Sequence, residues 1–482
     1  MNLKKREIAL LIVITFFVGL LGAYTGLKIF QPKVANEGVQ VPFESGLSHN
    51  DDKFERIKKT YELIHQHYIE DVDDEELLEG AIQGMLDTLE DPYSSYMNAE
   101  VMERFNEQIQ SSFEGIGAEV SMIEGKVTIV APIKNSPAEK AGLRPHDQIL
   151  EVDDEPLDGL DLNEAVEKIR GEKGSEVNLL VQRQGTKEPF KVKIVRDEIP
   201  IETVYSSTEE VDGKKTGILE LTTFSETTAK EFDDALTELE SEGIDGLIID
   251  VRGNPGGLLD AVEEILHQFV PKDVPYLQIE DGKGNVDKYY TSLEEKKPYP
   301  ITVVIDEGSA SASEILAVAM KEIGYDVVGM TSFGKGTVQQ AVPLGEQSDG
   351  TVKLTFYKWL SPKGNWIDEE GVEPTVEQKQ PEFYYSHPIQ IDEPFKLDET
   401  DEQIKNAQIM LSGIGYDTGR QDGYFDKDTE AAITEFQRAE GLTANGELNS
   451  ETAYAIESKV LDIIRNGEQD LQLEKALETL YK

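Results

Sequence analysis

The chain has 482 residues, of which 38% are hydrophobic and 29% charged, with a formal net charge of −49 and no cysteine. That length exceeds what one core organises, so about three or four domains are expected. The acidic balance repels phosphate backbones and argues against nucleic acid as a partner. The lack of cysteine excludes disulfides, a thiolate nucleophile and Cys-held zinc.

Lys4, Lys5 and Arg6 precede an uncharged, apolar stretch from Ile8 to Leu27, 20 residues long. At 1.5 Å per residue this spans a bilayer core of about 30 Å, and the basic flank places its N-terminal side in the cytoplasm. Residues 1–30 are therefore expected to form a single-pass membrane anchor with the body of the protein outside the cytoplasm. A cleaved signal segment, leaving a secreted protein, is the alternative. A Pro-, Gly- and polar-rich linker follows over 31–51. From 52 to 112 apolar residues recur at helical spacing: Phe54, Ile57, Tyr61, Ile64 and Tyr68, then Leu78, Ile82, Met85 and Leu89. This predicts a helical arm, interrupted at Asp91-Pro92, whose stripe serves core packing or a homodimer contact.

Residues 113–198 read as a β module. Val127–Val130, Ile149–Val152, Val177–Val181 and Phe190–Val195 are β-branched runs bounded by turn residues, with a helix over Leu162–Arg170. In 199–384 the strands Gly217–Leu221, Gly246–Asp250 and Ile301–Ile305 each precede a helical stretch, the alternation of an α/β domain with buried strands. A second linker (385–400) leads to a small helical unit and acidic tail (401–482).

Three segments of the α/β region could carry chemistry. Gly308-Ser-Ala-Ser-Ala-Ser313 lies between a buried strand and a helix, where small residues expose a side chain and aim backbone N–H groups at one point. Alone it reads first as a Ser-rich helix cap. A hydroxyl nucleophile needs a base, and of the six histidines only His267 shares this domain. A Ser-His enzyme using His267 is thus a poorly supplied alternative. Phe333-Gly-Lys-Gly-Thr-Val-Gln-Gln340 offers Lys335 between glycines, with Gln339 four residues on as a neutral amide that could orient its amine. Burial would lower the pKa of such a lysine into a useful range. Gly329 to Lys335 partly matches a phosphate loop, but Gly336 stands where Ser or Thr would ligate Mg²⁺. No cofactor or metal is expected. Asp250-Val-Arg-Gly-Asn-Pro-Gly-Gly257, after another buried strand, could lend an amide to an oxyanion pocket or serve only as a tight turn.

Taken together, these three segments and their order resemble the C-terminal processing (tail-specific) serine peptidases, from Asp91-Pro-Tyr-Ser-Ser-Tyr to the end of the α/β core. The resemblance implies Ser311 as nucleophile, Lys335 as base, Gln339 as its orienting partner, and the amides of Ala312 and of Gly256 or Gly257 as oxyanion donors. Phe113-Glu-Gly-Ile-Gly-Ala-Glu-Val120 is similar to the carboxylate-binding loop of a PDZ domain, which implies that Gly115, Ile116 and Gly117 hold a peptide C-terminus. Arg170 matches a position that contacts the protease core in relatives, where the module blocks or aligns the site until peptide arrives. Gln403–Leu411, Asp422-Gly-Tyr-Phe-Asp426 and Phe436–Leu442 resemble a peptidoglycan-binding domain. The expected architecture is an α/β multidomain protein: transmembrane helix, helical arm, PDZ-type β module, α/β protease core and small helical C-terminal domain. Its expected work is extracytoplasmic processing or degradation of envelope proteins chosen by their C-termini. By family resemblance this extends to signalling during spore formation. A catalytically inactive PDZ and wall-binding scaffold is the alternative.

Overall fold

The computed structural model describes residues 51–482, apart from 124, 184, 346–349 and 392. The expected anchor lies outside the described residues; among those described, no helix is long and apolar enough to cross a membrane. The chain divides into two units, 1–82 and 83–482. In the first, α1 (Asp51–His67) carries Phe54, Ile57, Tyr61 and Ile64 of the apolar stripe, with Phe54 and Ile57 exposed. Helix α2 (Asp74–Asp87) follows, its first amides of Glu75 and Glu76 donating to the Asp73 carboxylate.

At the expected interruption the Asp91 carboxylate accepts from the Tyr93 N–H at 3.0 Å and the Ser94 hydroxyl at 2.5 Å, closing a turn. The chain then forms a strand the sequence does not signal, β1 (Ser95–Met97), before α3 (Ala99–Gln110). Three residues are too few to show a period; tertiary pairing decides their conformation.

The β module holds a short pair, β2 (Ser112–Gly115) with β9 (Asp197–Pro200), beside an antiparallel sheet. That sheet runs β3 (Ala118–Ile123), β4 (Lys126–Pro132), β5 (Gln148–Val152), β7 (Glu176–Gln182) and β8 (Phe190–Val195), with β6 (Glu155–Pro156) on β5. Alternate residues Val127, Ile129, Ile149, Leu179 and Val181 point into one core with Ala138 of α4 (Pro137–Lys140) and Ala165 of α5 (Leu162–Ile169). Helix α5 starts at a reciprocal cap between Asp161 and Glu164. β3 lies at the edge of the sheet, immediately after the glycine-rich loop.

The α/β domain is built on a six-stranded sheet in the order β10 (Val204–Val211), β11 (Lys214–Leu221), β12 (Gly246–Asp250), β15 (Ile301–Ile305), β16 (Asp326–Gly329) and β19 (Val376–Glu377). It is parallel from β11 onward. One face, with Leu219, Leu247, Ile249, Val303 and Ile305, packs on α6 (Thr228–Ser241), α7 (Leu259–Leu266) and α8 (Ala312–Glu322). A second sheet is antiparallel: β1, β18 (Thr351–Leu360), β13 (Pro275–Asp281) and β14 (Val286–Tyr290), with β17 (Thr337–Pro343) also on β18. β1 thereby brings the Asp91–Tyr96 turn to the strand that neighbours Lys335.

The C-terminal unit packs α9 (Glu402–Gly413), α10 (Lys427–Ala439) and α11 (Ser450–Arg465) around Ile404, Leu411, Phe425, Ile433, Phe436 and Ile456. Buried Gln408 ties α9 to Gly423 and Thr429, and buried Gln437 ties α10 to Gly446 and Thr452, so the same helix–loop–helix join occurs twice. The tail helix α12 (Leu471–Leu480), which the sequence groups with this unit, packs instead on the second face of the six-stranded sheet.

Candidate active site

Ser311 sits where β15 hands over to α8, at φ 54° and ψ −111°. A non-glycine residue in this region carries strain of roughly 1–3 kcal/mol and needs neighbours that over-determine it. They are present. Ser309 Oγ donates to the Val251 carbonyl at 2.8 Å, while Ala310 N–H and Ser313 Oγ donate to the Asn254 carbonyl at 3.0 and 2.9 Å. The Asp250–Gly257 turn is therefore stitched to the serine turn.

Gly256, at φ 98°, lies so close that a Cβ there would be 2.8 Å from Ser311 Cβ and 3.0 Å from the Ala312 nitrogen. Only glycine permits this approach. Of the two expected oxyanion glycines, Gly256 already donates its N–H to Asn254 Oδ1 at 2.8 Å. Among the described hydrogen bonds the Gly257 and Ala312 N–H groups have no acceptor, so these two amides are the available donors.

One residue on which no sequence expectation falls joins the Ser311 and Lys335 segments. Glu314, in the first turn of α8, is completely buried. Its Oε2 accepts from the backbone N–H of Ser311 at 2.7 Å and of Lys335 at 2.9 Å. Its Oε1 accepts from the Ser332 hydroxyl at 2.6 Å and the Gly334 N–H at 2.7 Å. Four donors and the positive end of α8 compensate the buried charge. One carboxylate thus fixes where the two segments stand relative to each other. The signal was available: a carboxylate three residues into a helix after a serine cap is a capping pattern.

Lys335 is half-buried, its ammonium 4.9 Å from the centroid of the Tyr93 ring. Burial, and then the positive charge of Lys353, push its amine below the usual lysine range; Glu314 and Asp91 oppose this without cancelling it. The Lys335 carbonyl accepts from Trp359 Nε1 at 2.8 Å, and the Gly336 carbonyl from Trp366 Nε1 at 2.9 Å. A Cβ at Gly336 would come within 2.7 Å of that indole nitrogen, which is the packing reason for glycine there. Gln339 stands on β17 next to a bulge, its Nε2 donating to the hydroxyls of Thr337 at 2.9 Å and Thr355 at 3.1 Å. Those hydroxyls, and not the Lys335 amine, are the partners the structure gives it. Asp91 and Tyr93 complete the lysine's surroundings, reached through the β1 strand.

The phosphate-loop match does not survive the fold. Gly334 and Lys335 lead into a strand, and their N–H groups are spent on Glu314. His267 is exposed at the far end of α7 with its ring against Tyr276 at 5.4 Å, about 12 Å of helix away from the Gly256-Gly257 turn.

In the β module Ile116 is buried, and the carbonyls of Ile116 and Gly117 accept from Ala138 and Ile133. Gly117 has φ 73°, and a Cβ there would lie 2.4 Å from Ser136 Cβ. The loop is thus held from behind. Arg170, at the end of α5, pairs with Glu107 of α3 at 3.0 Å and covers the Phe113 ring at 5.0 Å. It stands beside the loop, tied to α3. A cavity of about 850 Å³ opens there, lined by Met102, Asn106, Phe113, Glu114, Glu198 and Glu226, away from Ser311.

The comparisons with known proteins agree with this architecture. Residues 215–378 match the model of peptidase family S41, 128–183 a PDZ domain, 400–456 a peptidoglycan binding domain, and 16–101 the N-terminal domain of the activating protease CtpB. The carboxy-terminal processing protease CtpB of Bacillus subtilis is 48% identical over 480 residues, covering 99% of this chain and 100% of that one. CtpA of the same organism is 40% identical, covering 91% of this chain and 92% of its own. A solved photosystem II D1 C-terminal processing protease is similar at 27% identity and a TM-score of 0.41, covering 69% of this chain and 88% of that one. The class so defined is a serine peptidase with a PDZ domain and a peptidoglycan-binding domain. The chain belongs to peptidase family S41, among its carboxy-terminal processing proteases.

Proposed function

We propose that this peptidase works outside the cytoplasm, tethered by Ile8–Leu27, with Ser311 as nucleophile and Lys335 as its base. The observation that carries the pairing is the Glu314 carboxylate oxygen shared by the backbone amides of Ser311 and Lys335. The lowered pKa of the lysine supports it. In this reading the neutral Lys335 amine takes the Ser311 proton as Oγ attacks the scissile carbonyl. The N–H groups of Ala312 and Gly257 receive the developing oxyanion, while Gly256 buttresses the turn. The Lys335 ammonium then gives its proton to the leaving amine, and water, activated by the same lysine, releases the acyl group. Gln339, its Nε2 committed to two hydroxyls, would offer Oε1 to the lysine.

The β module would choose the substrate. A peptide C-terminus adds along the edge strand β3, its carboxylate on the amides of Gly115–Gly117. Arg170 at the end of α5 and its partner Glu107 would report peptide arrival towards the peptidase core. The same reading gives the stripe of Phe54, Ile57, Tyr61, Ile64 and Tyr68, of which Phe54, Ile57 and Tyr68 are exposed, to a homodimer contact, and the C-terminal unit to wall glycan. Envelope proteins are then the substrates, with signalling during spore formation as the setting the family resemblance suggests. The test is cleavage of an unstructured protein bearing an apolar C-terminus. The full chain should cut it, and Ser311→Ala should lose cleavage by about 10⁴-fold or more while staying folded. Cutting by Ser311→Ala at the wild-type rate would sink the assignment, and a wild type that is silent with added C-terminal peptides would favour the scaffold.

A further inference from the structure

The turn that carries Gly257 is held from two sides, and the second side belongs to the end of the chain. Arg252 lies within this turn with only 17% of its side chain exposed. Its Nε reaches both oxygens of Asp250, at 2.9 and 3.0 Å. Its two terminal nitrogens form a parallel fork on Asp470, Nη1 to Oδ1 and Nη2 to Oδ2, both at 2.8 Å. Such a bidentate pair fixes direction as well as distance. Asp470 is itself fixed: Oδ1 accepts the Leu473 N–H at 2.9 Å as the cap of α12, and Gln380 Nε2 at 2.6 Å.

Helix α12 is anchored by burial. Ala476 and Leu480 pack on Ile218, Ile248, Val304 and Val328, the residues of the six-stranded sheet that alternate away from the main core. Tyr481 OH meets Thr216 Oγ1 at 2.7 Å, and Lys214 lies over its ring at 4.3 Å. A Cβ at Gly246 would come within 2.8 Å of Leu480 and of Tyr481 OH, so this strand is cut to receive the helix. The segment matched by the peptidase family ends at residue 378, well before any of this.

We propose that Asp470 is a positioning residue of the catalytic centre: through Arg252 it sets the turn that presents Gly257, which makes residues 470–482 a working part of the peptidase. This rests on the oxyanion role of that turn. Arg252 faces the tail; the next residues face the serine, with Gly253 N–H on Asp306 at 2.8 Å and Asn254 accepting from Ala310 and Ser313. A turn released on the Arg252 side would lose the alignment of an amide that matters only in the transition state.

The test compares Asp470→Asn with wild type as full chains, well below their melting temperatures. The expected result is a fall in kcat of about 10- to 100-fold with KM changed less than about twofold, the split that marks a lost transition-state contact. Asp470→Glu, which keeps the charge, should recover most of the loss and serves as the assayable variant if Asp470→Asn does not fold. Arg252→Met should fall by a similar factor, and the double variant should be no worse than the worse single one. A purely structural clamp would lower the melting temperature and leave kcat intact, and that result overturns the proposal. Failure of the underlying Ser–Lys reading shows separately, in the wild type, as an unreactive Ser311 before any tail variant is made.

Discussion

Replacing Glu314 by Gln should lower kcat/KM by about 10²- to 10³-fold and destabilise the fold by about 3 kcal/mol. The carboxylate accepts four hydrogen bonds in a fully buried place, and an amide can accept on one side only. If the amide nitrogen turns towards Ser332, the hydroxyl can rotate to accept, but the Gly334 N–H is left facing another donor. If it turns the other way, the amides of Ser311 and Lys335 are both orphaned. Each charge-assisted bond is worth about 1.5–3 kcal/mol, and a buried unpaired donor costs about 1–3 kcal/mol. The rate loss follows, with Ser311 and Lys335 as the proposed pair, because a displacement near 1 Å between them suffices for about 10²-fold. Thermal unfolding and steady-state kinetics on the same protein measure both effects. An unchanged kcat with the expected loss of stability would mean that the shared carboxylate holds the fold but not the chemistry.

Lys335→Met should abolish cleavage, by about 10⁴-fold or more, and yet yield a more stable protein at neutral pH. The sign follows from the lowered pKa. Between that value and the unfolded lysine value near 10.4, the unfolded chain binds the extra proton, so wild-type stability rises with pH in that window. Below the folded pKa the cost of the half-buried ammonium is present in full, and methionine removes it. The melting temperature of Lys335→Met should therefore exceed that of wild type at neutral pH, with the gap closing as pH approaches about 10.4. A variant less stable than wild type at neutral pH would show that the lysine's packing or its stacking on Tyr93 outweighs its charge.

Much of this site is legible in the chain because its parts are local. Gly246–Asp250 and Ile301–Ile305 are short, mainly apolar runs and appear in the structure with those bounds, each followed by a helix. The glycines at 256 and 257 announce a turn before they announce its neighbour. What the sequence does not show is decided by tertiary contact. The Ser95–Met97 strand is too short to have a period, so the route by which Tyr93 reaches Lys335 is hidden. Glu314 reads as a helix-capping acid three residues after Ser311, and only burial reveals it as the joint between two segments. Gln339 stands on β17, where a bulge and two threonine hydroxyls determine where its amide points. The tail helix has the same amphipathic look as its neighbours; nothing in its pattern tells which face of which domain it covers.

The most direct measurement on the central claim is the rate at which a fluorophosphonate labels Ser311, followed across pH in wild type and in Lys335→Met. It needs no peptide tail and no scissile bond, so it isolates the activation of the serine from substrate choice. With Lys335 as base, the wild-type rate should fall on an acid limb whose midpoint lies below the ordinary lysine value of about 10.4. That limb should vanish in Lys335→Met, with the rate lower by about 10³-fold or more. Labelling of Lys335→Met at the wild-type rate, with the acid limb in place, would contradict the account and assign the base to another group.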